Sequence, residues 1–431
     1  MASAFKNIKE FKIISNYGGQ IDLLGKGSFT GLQIYQSILD DTIRSNFELL
    51  DTGNRGSEDD VNVEEEDDIK ITVGEQVNLI LSDYNEFELD FTGIRQFIIE
   101  DIISSSSSTM NEMFNINLCQ KEYVDNQKEK HYVTKHFESK IHEIVFDVLR
   151  NVLGTPKEIY LDPALNLLPI NGMKDTCFDF CTMLGPKSKP ENEPDSAGYL
   201  FFENYNGFHF RSIDELFKQE PRRKMIYNDT NIIPPGYTNK ILNQQTYNNM
   251  NLVQKMKTNS LMNSRLKTIE TYQHVYNEKD VFDAKSLYKV NNNAALEFPI
   301  VAKSLGVMEE INEVIDHIPN VGSLPPGRNI AEQLPFSKIR SFNLEQIVRQ
   351  AISRYNQLFL YRTSITIHGD FDIYPGDIIE CTFPEVSAKN MKMISSEKKS
   401  GLYMVADICH YINAEHCYTK INMIKDSIMS K

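Results

Sequence analysis

The C-terminal stretch, residues 362–431, decides the fold because it consists of short strand-like runs separated by turns. Its first run, SITIH at 364–368, alternates polar and apolar residues with a period of two, which is typical of a half-buried strand. The turn YPGD at 374–377 leads into a second run, IIECTF at 378–383, which Pro384 closes. This spacing predicts that the two strands form a hairpin.

Two more strands are predicted after this hairpin. Residues 401–412 form a long and mostly apolar run, the turn 413–415 ends it, and 418–424 supplies a partner with alternating polar and apolar faces. Four strands joined by short turns predict a small antiparallel barrel or sandwich.

The composition is that of a large globular protein. A chain of 431 residues exceeds one ordinary core, so two to four domains are expected. The 24 Phe and 20 Tyr, with no Trp, favour strand-rich structure. No apolar run approaches the ~18 residues of a membrane span, and the N-terminus carries no secretory signal. We therefore expect a protein made in a cytoplasm, without membrane insertion.

Charge and cysteine content bear on two further classes of protein. The formal net charge is -15, whereas binding to a nucleic-acid backbone needs clustered Lys and Arg. An acidic chain is compatible with DNA that passes by without being held. Six cysteines in a chain without a secretory signal predict free thiols.

The first part of the chain alternates between strand-like runs and polar loops. Strands are predicted at 11–14, 32–35, 47–50 and 112–119, and the serine tract at 104–108 is expected to be a hairpin loop.

Residues 58–68 contain eight acidic side chains. Because like charges repel, we predict a mobile loop. A cation site is the alternative, although neither the spacing nor the glycine of an EF-hand is present.

The LGKGSF segment at 24–29 looks like the glycine loop that covers ATP phosphates in protein kinases. The other parts of that site, a β3 lysine, a His-Arg-Asp loop and an Asp-Phe-Gly, are missing from the sequence. A turn between strands is the better interpretation. Since no nucleophile with a base and no paired catalytic carboxylates stand out, we predict no enzyme activity, no catalytic residues and no cofactor.

The hydrophobic period changes in the middle of the chain. Residues 136–153 repeat apolar side chains every three or four positions, which predicts a helix that Gly154 ends. A second helix is predicted at 176–184 and a hairpin at 198–213.

A polar region separates this middle part from the C-terminal strands. Within it, strands are predicted at 252–256 and 268–276. A helix at 344–358, with Ile347, Ala351, Tyr355 and Leu358 facing inward, leads back to the C-terminal strands.

Two groups of residues are weighed as metal ligands. Cys177 and Cys181 share one helical face, but structural zinc usually takes four ligands with tight cysteine pairs. The other group lies on two strands that would have to face each other: Cys409, His410, His416 and Cys417. Packed and hydrogen-bonded side chains are the simpler interpretation of both groups, so no metal ligand is assigned.

Three segments of the sequence resemble the baseplate central hub proteins of T-even-like contractile phage tails. The first is the strand pair within 33–52 with the Gly-Glu at 74–75. The second and most specific is GYLFFE at 198–203 followed by GFHFRSI at 207–213. The third joins YPGDII at 374–379 to SGLYMV at 400–405 and a closing Lys-Asp-Ser.

The resemblance implies a β-rich α+β fold, with two tube-type antiparallel β-barrel domains in one chain, an intervening α/β domain and insertions. The expected domains are a first barrel at 1–130, an α+β domain at 131–224, a second barrel at 225–281 plus 342–431, and an insertion at 282–341.

The resemblance also implies a structural role in the virion, in a tail baseplate assembled in the host cytoplasm. Such a hub is a homotrimer around an axial channel for DNA, in contact with the tail tube protein, the central spike protein and other baseplate proteins. The alternatives are a tail-tube initiator or tube protein and, from another class, a metal-binding protein that uses the Cys/His groups.

Overall fold

The computed structural model describes most of the chain outside two long segments. The described residues are 6–16, 18–26, 29–51, 71–107, 112–192, 196–228, 233–248, 263–264, 267–270, 275–278, 282–283, 323–324, 347–348, 351, 354–355, 358–359, 361–385, 394–396 and 399–425. The acidic segment 58–68, the predicted strand 252–256 and nearly all of the predicted insertion 282–341 therefore lie outside the described residues.

The N-terminal part consists mainly of strands: β1 (Ile8–Ile14), β2 (Gln20–Asp22), β3 (Phe29–Ser37), β4 (Arg44–Asp51), β5 (Gln76–Ser82), β6 (Glu88–Phe91), β7 (Phe97–Ser107) and β8 (Glu112–Gln120). Its helical pieces are α1 (Leu23–Lys26), α2 (Lys121–Asn126) and the 3-10 turns Gly93–Arg95 and Glu129–His131. In several of these strands every second side chain is buried, as the alternation in the sequence predicts. The buried side chains meet in one core, where the rings of Phe11 and Phe47 pack edge to face at 4.9 Å.

The middle part mixes helices and short strands: β9 (His136–Lys140), β10 (Glu158–Leu161), β11 (Leu167–Asn171), β12 (Tyr199–Asn204), β13 (Gly207–Ser212), α3 (Ile141–Asp147), α4 (Cys177–Leu184) and α5 (Ile213–Phe217). A π-helical turn (Val148–Leu153) extends α3, and a 3-10 turn (Gly185–Lys187) follows α4. Strand β13 pairs antiparallel with β12 and parallel with β10. The predicted hairpin at 198–213 is thus confirmed.

The predicted start of the first middle helix is wrong. Residues 136–140 form a strand that pairs with β11, and the helix begins at Ile141. The Glu143 carboxylate accepts the backbone N–H of Lys140, which fixes this start. The predicted end is confirmed, because Gly154 adopts a left-handed φ of 77°.

The C-terminal part is again built from strands: β14 (Arg223–Tyr227), β15 (Asn239–Ile241), β16 (Asn243–Asn248), β22 (Tyr361–His368), β23 (Ile378–Thr382), β26 (Gly401–Asn413) and β27 (Cys417–Ile424). Short strand pieces lie between or beside them: β17 (Asn263–Ser264), β18 (Lys267–Glu270), β19 (Val275–Glu278), β20 (Phe282–Asp283), β21 (Ser323–Leu324), β24 (Pro384–Glu385) and β25 (Ile394–Ser395).

Three sequence predictions need correction here. Residues 364–383 do not form a hairpin, because β22 pairs with β16 and β27 while β23 pairs with β14 and β26. Both edges of β22 are thus occupied, so neither is available to β23. Residues 104–107 continue strand β7 rather than forming a loop. The single strand predicted at 268–276 is divided between β18 and β19.

The architecture is β-rich with few helices, in agreement with the coarse fold class. It is not purely antiparallel, since β14 runs parallel to both β15 and β23. The described residues of the predicted helix at 344–358 are helical. Ile347, Ala351 and Leu358 are buried, and the Tyr355 hydroxyl donates to the Tyr199 carbonyl of the middle part.

Candidate functional site on a sheet that crosses the chain

One antiparallel sheet passes through the N-terminal and the C-terminal parts. Its strands follow the order β7–β8–β4–β3–β26–β27–β22–β16, and each strand runs antiparallel to its neighbours. The two parts are joined where residues 407–413 of β26 lie opposite residues 31–37 of β3. Since these strands are far apart in sequence, only the folded chain creates this surface.

One side of this sheet covers the two cores, and we call the other side the open face. Ile34, Phe47, Ile408 and Ile421 point to the cores and are almost fully buried. Their neighbours along each strand, at least partly exposed, belong to the open face. It is rich in uncharged amide side chains, namely Gln33, Asn46, Asn115, Asn117, Asn243, Gln245, Asn413 and Asn422.

Charged groups on the open face are mixed in sign, and several are paired. The Arg44 guanidinium lies 3.1 Å from the Glu100 carboxylate. The Asp407 carboxylate accepts hydrogen bonds from the Ser37 hydroxyl at 2.6 Å and the Asn422 amide at 3.3 Å. Exposed Lys420 and Arg362 add further cations, four residue pairs apart along the β22–β27 ladder. The face therefore lacks the clustered positive charge that holds a nucleic-acid backbone.

One end of the open face carries aromatic and imidazole rings. His368 packs edge to face against Tyr84 and lies nearly parallel to Tyr418, with centroid distances of 6.3 Å in both pairs. Tyr418 also contacts the ring of His416 at 5.5 Å. Tyr84 and His368 come from the turn after β5 and the end of β22. This rim thus combines residues of the N-terminal and C-terminal parts.

The structure separates the four residues weighed as a metal site. In the β26–β27 register, Cys409 lies opposite Lys420 and His410 opposite Thr419, so the two pairs do not face each other. Cys409 is on the open face, whereas His410 points into the core and its Nδ1 lies 3.0 Å from the Thr419 hydroxyl. His416 is exposed and Cys417 is buried.

The helical cysteine pair gives no metal site either. Cys177 and Cys181 are both buried, and burial raises the pKa of the Cys177 thiol to about 12. Across the described ranges, no group of three or more His, Cys, Asp or Glu side chains is placed to hold a metal. All six cysteines are free thiols, as predicted, and Cys409 is the one among them that is not buried.

Histidine 410 makes stability depend on pH. Burial lowers the pKa of its imidazole from 6.5 to about 4, so as the pH falls the unfolded chain takes up this proton first. Its contribution is complete above pH 6.5 and is lost as the pH falls towards 4. Relative to His410→Gln, the wild type should lose about 3 kcal/mol of unfolding free energy between pH 7 and 4.

Denaturant titrations of wild type and variant at both pH values measure this difference. His416→Gln is the matched control, because His416 is exposed on the neighbouring turn. An equal pH dependence of wild type and His410→Gln would contradict the assignment.

A stack of four side chains fixes the three parts against one another. The Arg95 guanidinium lies 4.7 Å from the Tyr205 ring, and Tyr205 is parallel to Tyr374 with centroids 6.2 Å apart. The Arg222 guanidinium lies 5.1 Å from the centre of the Tyr374 ring. Cation–π contacts and stacked rings each contribute about 0.5–1.5 kcal/mol. This stack therefore favours one relative arrangement of the N-terminal, middle and C-terminal parts.

A buried ion cluster joins the N-terminal and middle parts, and the sequence analysis missed it. The Lys157 ammonium lies 2.5 Å from Glu203 Oε1, 2.8 Å from Glu122 Oε2 and 2.9 Å from Gln120 Oε1. The second Glu203 oxygen accepts the N–H of Ile43. Burial outweighs the attraction of Lys157 and raises the pKa of Glu203 to about 7. These residues come from three distant segments, so no local motif signals the cluster.

No helix in the described ranges is long and apolar enough to cross a membrane.

Comparison with known proteins identifies the fold through solved structures alone. No protein-family model and no curated protein matches the chain. The crystal structure of the prophage MuSo2 43 kDa tail protein from Shewanella oneidensis superposes with a TM-score of 0.50 and 9% identity. That match covers 97% of this chain and 100% of the other.

A tail protein from Neisseria meningitidis MC58 superposes with a TM-score of 0.52 at 10% identity, covering 97% of each chain. Such low identities establish similarity of fold and not of activity. The chain therefore has the fold of phage tail proteins, and at that level the resemblance to baseplate hub proteins noted in its sequence is confirmed.

Proposed function

We propose that this protein is a structural component of a phage tail baseplate, the central hub that forms an axial channel between the tail tube and the cell-puncturing spike. The observation that carries the proposal is the open face, a continuous surface of eight strands that spans both ends of the chain. A channel wall needs an extended, rigid and weakly interacting surface. A continuous sheet with amide side chains meets these needs.

The proposal includes two barrels in each chain, with boundaries at 1–130 and at 225–281 plus 342–431, and an α+β domain at 131–224 between them. Its support is the course of the strand pairings. In the C-terminal part, β15 pairs with β14, and the strand that follows it in sequence, β16, pairs with β22. From β22 the strand pairings continue through β27, β26 and β23 and return to β14. The N-terminal strands enclose another core, to which Phe371, Tyr374, Ile412 and Cys417 of the C-terminal part also contribute.

Three such chains would place six barrel-like units around an axis. This number fits a six-fold tail tube on one side and a three-fold spike on the other. The partners would be the tail tube protein, the central spike protein and other baseplate proteins, in a virion assembled in the host cytoplasm. The rim rings Tyr84, His368, His416 and Tyr418 lie at the end of the wall, where a neighbouring protein would make contact.

The same surface accounts for DNA that passes without specific binding. The chain carries a net charge of -15, and the open face holds acidic as well as basic groups. A phosphate backbone would gain little counterion release from such a wall. No catalytic role is part of the proposal. A tail-tube initiator is the second candidate, because one channel wall would serve either protein.

Electron microscopy of the purified protein tests the proposal. We expect three-fold particles with an open axial channel. Compact particles without a hole, or filaments that continue along the axis, would contradict the hub, and filaments would favour the tube protein. The addition of duplex DNA at physiological salt should not shift its mobility in a gel.

A further inference from the structure

The turn between β3 and β4, residues 38–43, docks the N-terminal strands onto the middle part of the chain. The Glu203 N–H donates to the Asp40 carbonyl and the Ile43 N–H donates to the Glu203 carboxylate, both at 3.3 Å. Ile38 packs in a core that also contains residues of β12. We call this contact the junction. None of the eight strands that form the open face comes from the middle part, so the junction can loosen while that sheet stays intact.

A buried cluster next to this turn holds more carboxylates than ammonium groups. Lys157 Nζ lies 2.5 Å from Glu203 and 2.8 Å from Glu122, and the three side chains are at most 6% exposed. If both carboxylates were ionised, the cluster would carry one net negative charge in a region closed to water. A buried charge without a partner is costly, and the cost is relieved when the group takes up a proton. The geometry therefore favours one bound proton in the closed junction.

Acidic side chains are also crowded on the turn itself. Burial, together with the charges of Asp40 and of Asp179 on α4, raises the pKa of Asp41 to about 6. The cation of this turn, Arg44, is shared, because its guanidinium lies 3.6 Å from Asp40 and 3.1 Å from Glu100. The turn thus has the same excess of acids as the buried cluster, and it too favours a bound proton at mildly acidic pH.

The charged groups that face the junction come from several elements, and acids outnumber bases among them. Among the described residues, the acids are Asp40, Asp41, Glu100, Glu122, Asp179 and Glu203, and the bases are Arg44, Arg150 and Lys157. Cys119 lies opposite Arg44, and burial keeps its thiol neutral by raising its pKa to about 12. The Tyr123 ring lies 4.7 Å from the Arg44 guanidinium. His209 and Arg211 of β13 lie on the other face of their sheet, because His209 stacks on Phe202, the residue before Glu203.

We propose that the junction is a proton-binding joint, which takes up protons as it closes and is therefore tighter in mildly acidic solution than at or above neutral pH. The protonated cluster is neutral, with Lys157 between one carboxylate and one carboxylic acid. Burial, which outweighs the attraction of Lys157, raises the pKa of Glu203 from 4.5 to about 7, in agreement with this geometry. The joint couples the N-terminal and middle parts of one chain and does not depend on the hub function.

The direction of the pH effect follows from the proton that the closed junction holds. When the junction opens, Glu203 meets water and its pKa returns to 4.5, so between pH 4.5 and 7 only the closed form keeps the proton. The contribution of this proton to closure is complete below pH 4.5 and is lost as the pH rises to 7. From pH 5 to pH 8 the opening equilibrium should rise about 70-fold through Glu203. Asp41 acts in the same direction.

Hydrogen exchange of the full chain, read by mass spectrometry at single residues, tests the joint. The N–H groups of Ile43 and Glu203 report on it, because their hydrogen bonds cross the junction. After correction for the intrinsic exchange rate, we expect the protection of these two groups to fall about 70-fold or more between pH 5 and pH 8.

Two glutamine variants remove the excess carboxylate with little change of shape. Glu203→Gln should keep the junction closed and leave only the smaller pH dependence of Asp41. Glu203→Gln combined with Asp41→Asn should show no pH dependence of protection. Glu122→Gln is an independent variant, since it too leaves Lys157 with a single carboxylate, and its pH dependence should be as small as that of Glu203→Gln.

Glu191→Gln is the matched control. Glu191 pairs with Lys140 in the same part of the chain, but its side chain is 45% exposed, so this variant should keep the pH dependence of the wild type. Equal protection of the Ile43 and Glu203 N–H groups at pH 5 and pH 8 in the wild type would overturn the joint. A fall in protection that persists unchanged in both Glu203→Gln and Glu122→Gln would overturn it as well.

Discussion

Replacing Lys157 with methionine is expected to lower the unfolding free energy by about 3–5 kcal/mol, because the change leaves a buried charge without its partner. Lys157, Glu122 and Glu203 are each at most 6% exposed as side chains. Without the ammonium, two carboxylates would lie side by side in a region closed to water. At least one of them would have to take up a proton or draw water into the junction of the N-terminal and middle parts.

Denaturant unfolding of the purified variant measures the loss. Lys140→Met is the matched control, since Lys140 pairs with Glu191 at 3.2 Å while the two side chains are 39% and 45% exposed. An exposed pair of this kind contributes about 0–1 kcal/mol. Adding Glu203→Gln to Lys157→Met should recover part of the stability, because it removes one of the two uncompensated charges. Equal small losses for Lys157→Met and the control would contradict the role of the cluster.

Gly207→Ala is expected to cost about 3 kcal/mol or more. Gly207 begins β13 with a φ of 149°, a conformation that L side chains rarely adopt, and a Cβ there would lie 2.2 Å from the Glu158 carbonyl oxygen. The oxygen belongs to the backbone of β10, so it moves only if the parallel β10–β13 pairing opens. Backbone strain and overpacking each contribute about 1–3 kcal/mol.

Gly31→Ala is the control for this variant. Gly31 also lies in a strand, but a Cβ there meets its nearest atoms at 3.8 Å, which is ordinary contact. Its unfolding free energy should change by less than about 1 kcal/mol. Equal melting temperatures of the two alanine variants would contradict the close approach of β13 to β10.

Local alternation in the sequence was sufficient to predict the positions of most strands, but not to predict which strands pair with one another. The runs at 364–368 and 378–383 are strands, as predicted, and the turn between them occurs where expected. Strand pairing is decided by segments that are distant in the sequence. Residues 243–248 and 417–424 occupy both edges of β22, and no local signal reports which distant segment fills an edge. Short connections favour hairpins, yet they do not require them.

The serine tract and the first middle helix show how tertiary contacts override local preference. Serines at 104–107 lack the β-branched and aromatic side chains that are enriched in strands, but pairing with β8 extends the strand through them. His136–Lys140 fits a helical period, yet it pairs with Leu167–Asn171 instead.

Only single strands of the open face could be predicted from the sequence. The alternation of Tyr418, Lys420 and Asn422 indicates one polar side of a strand. Its continuation across β26 into β3 depends on a pairing between residues about 370 positions apart. The ion cluster around Lys157 has the same origin, because its carboxylates lie 35 and 46 positions away along the chain. Buried polar contacts of this kind have no periodic signature.

The mass of the native particle tests the central claim, that three chains form one channel wall, most directly. Light scattering coupled to size exclusion at micromolar protein should report three times the chain mass of 49.6 kDa. Dilution should produce monomers without stable dimers. A ring held by identical heterologous contacts loses two of these contacts when one subunit leaves. A stable particle of 49.6 kDa at micromolar concentration would contradict the claim.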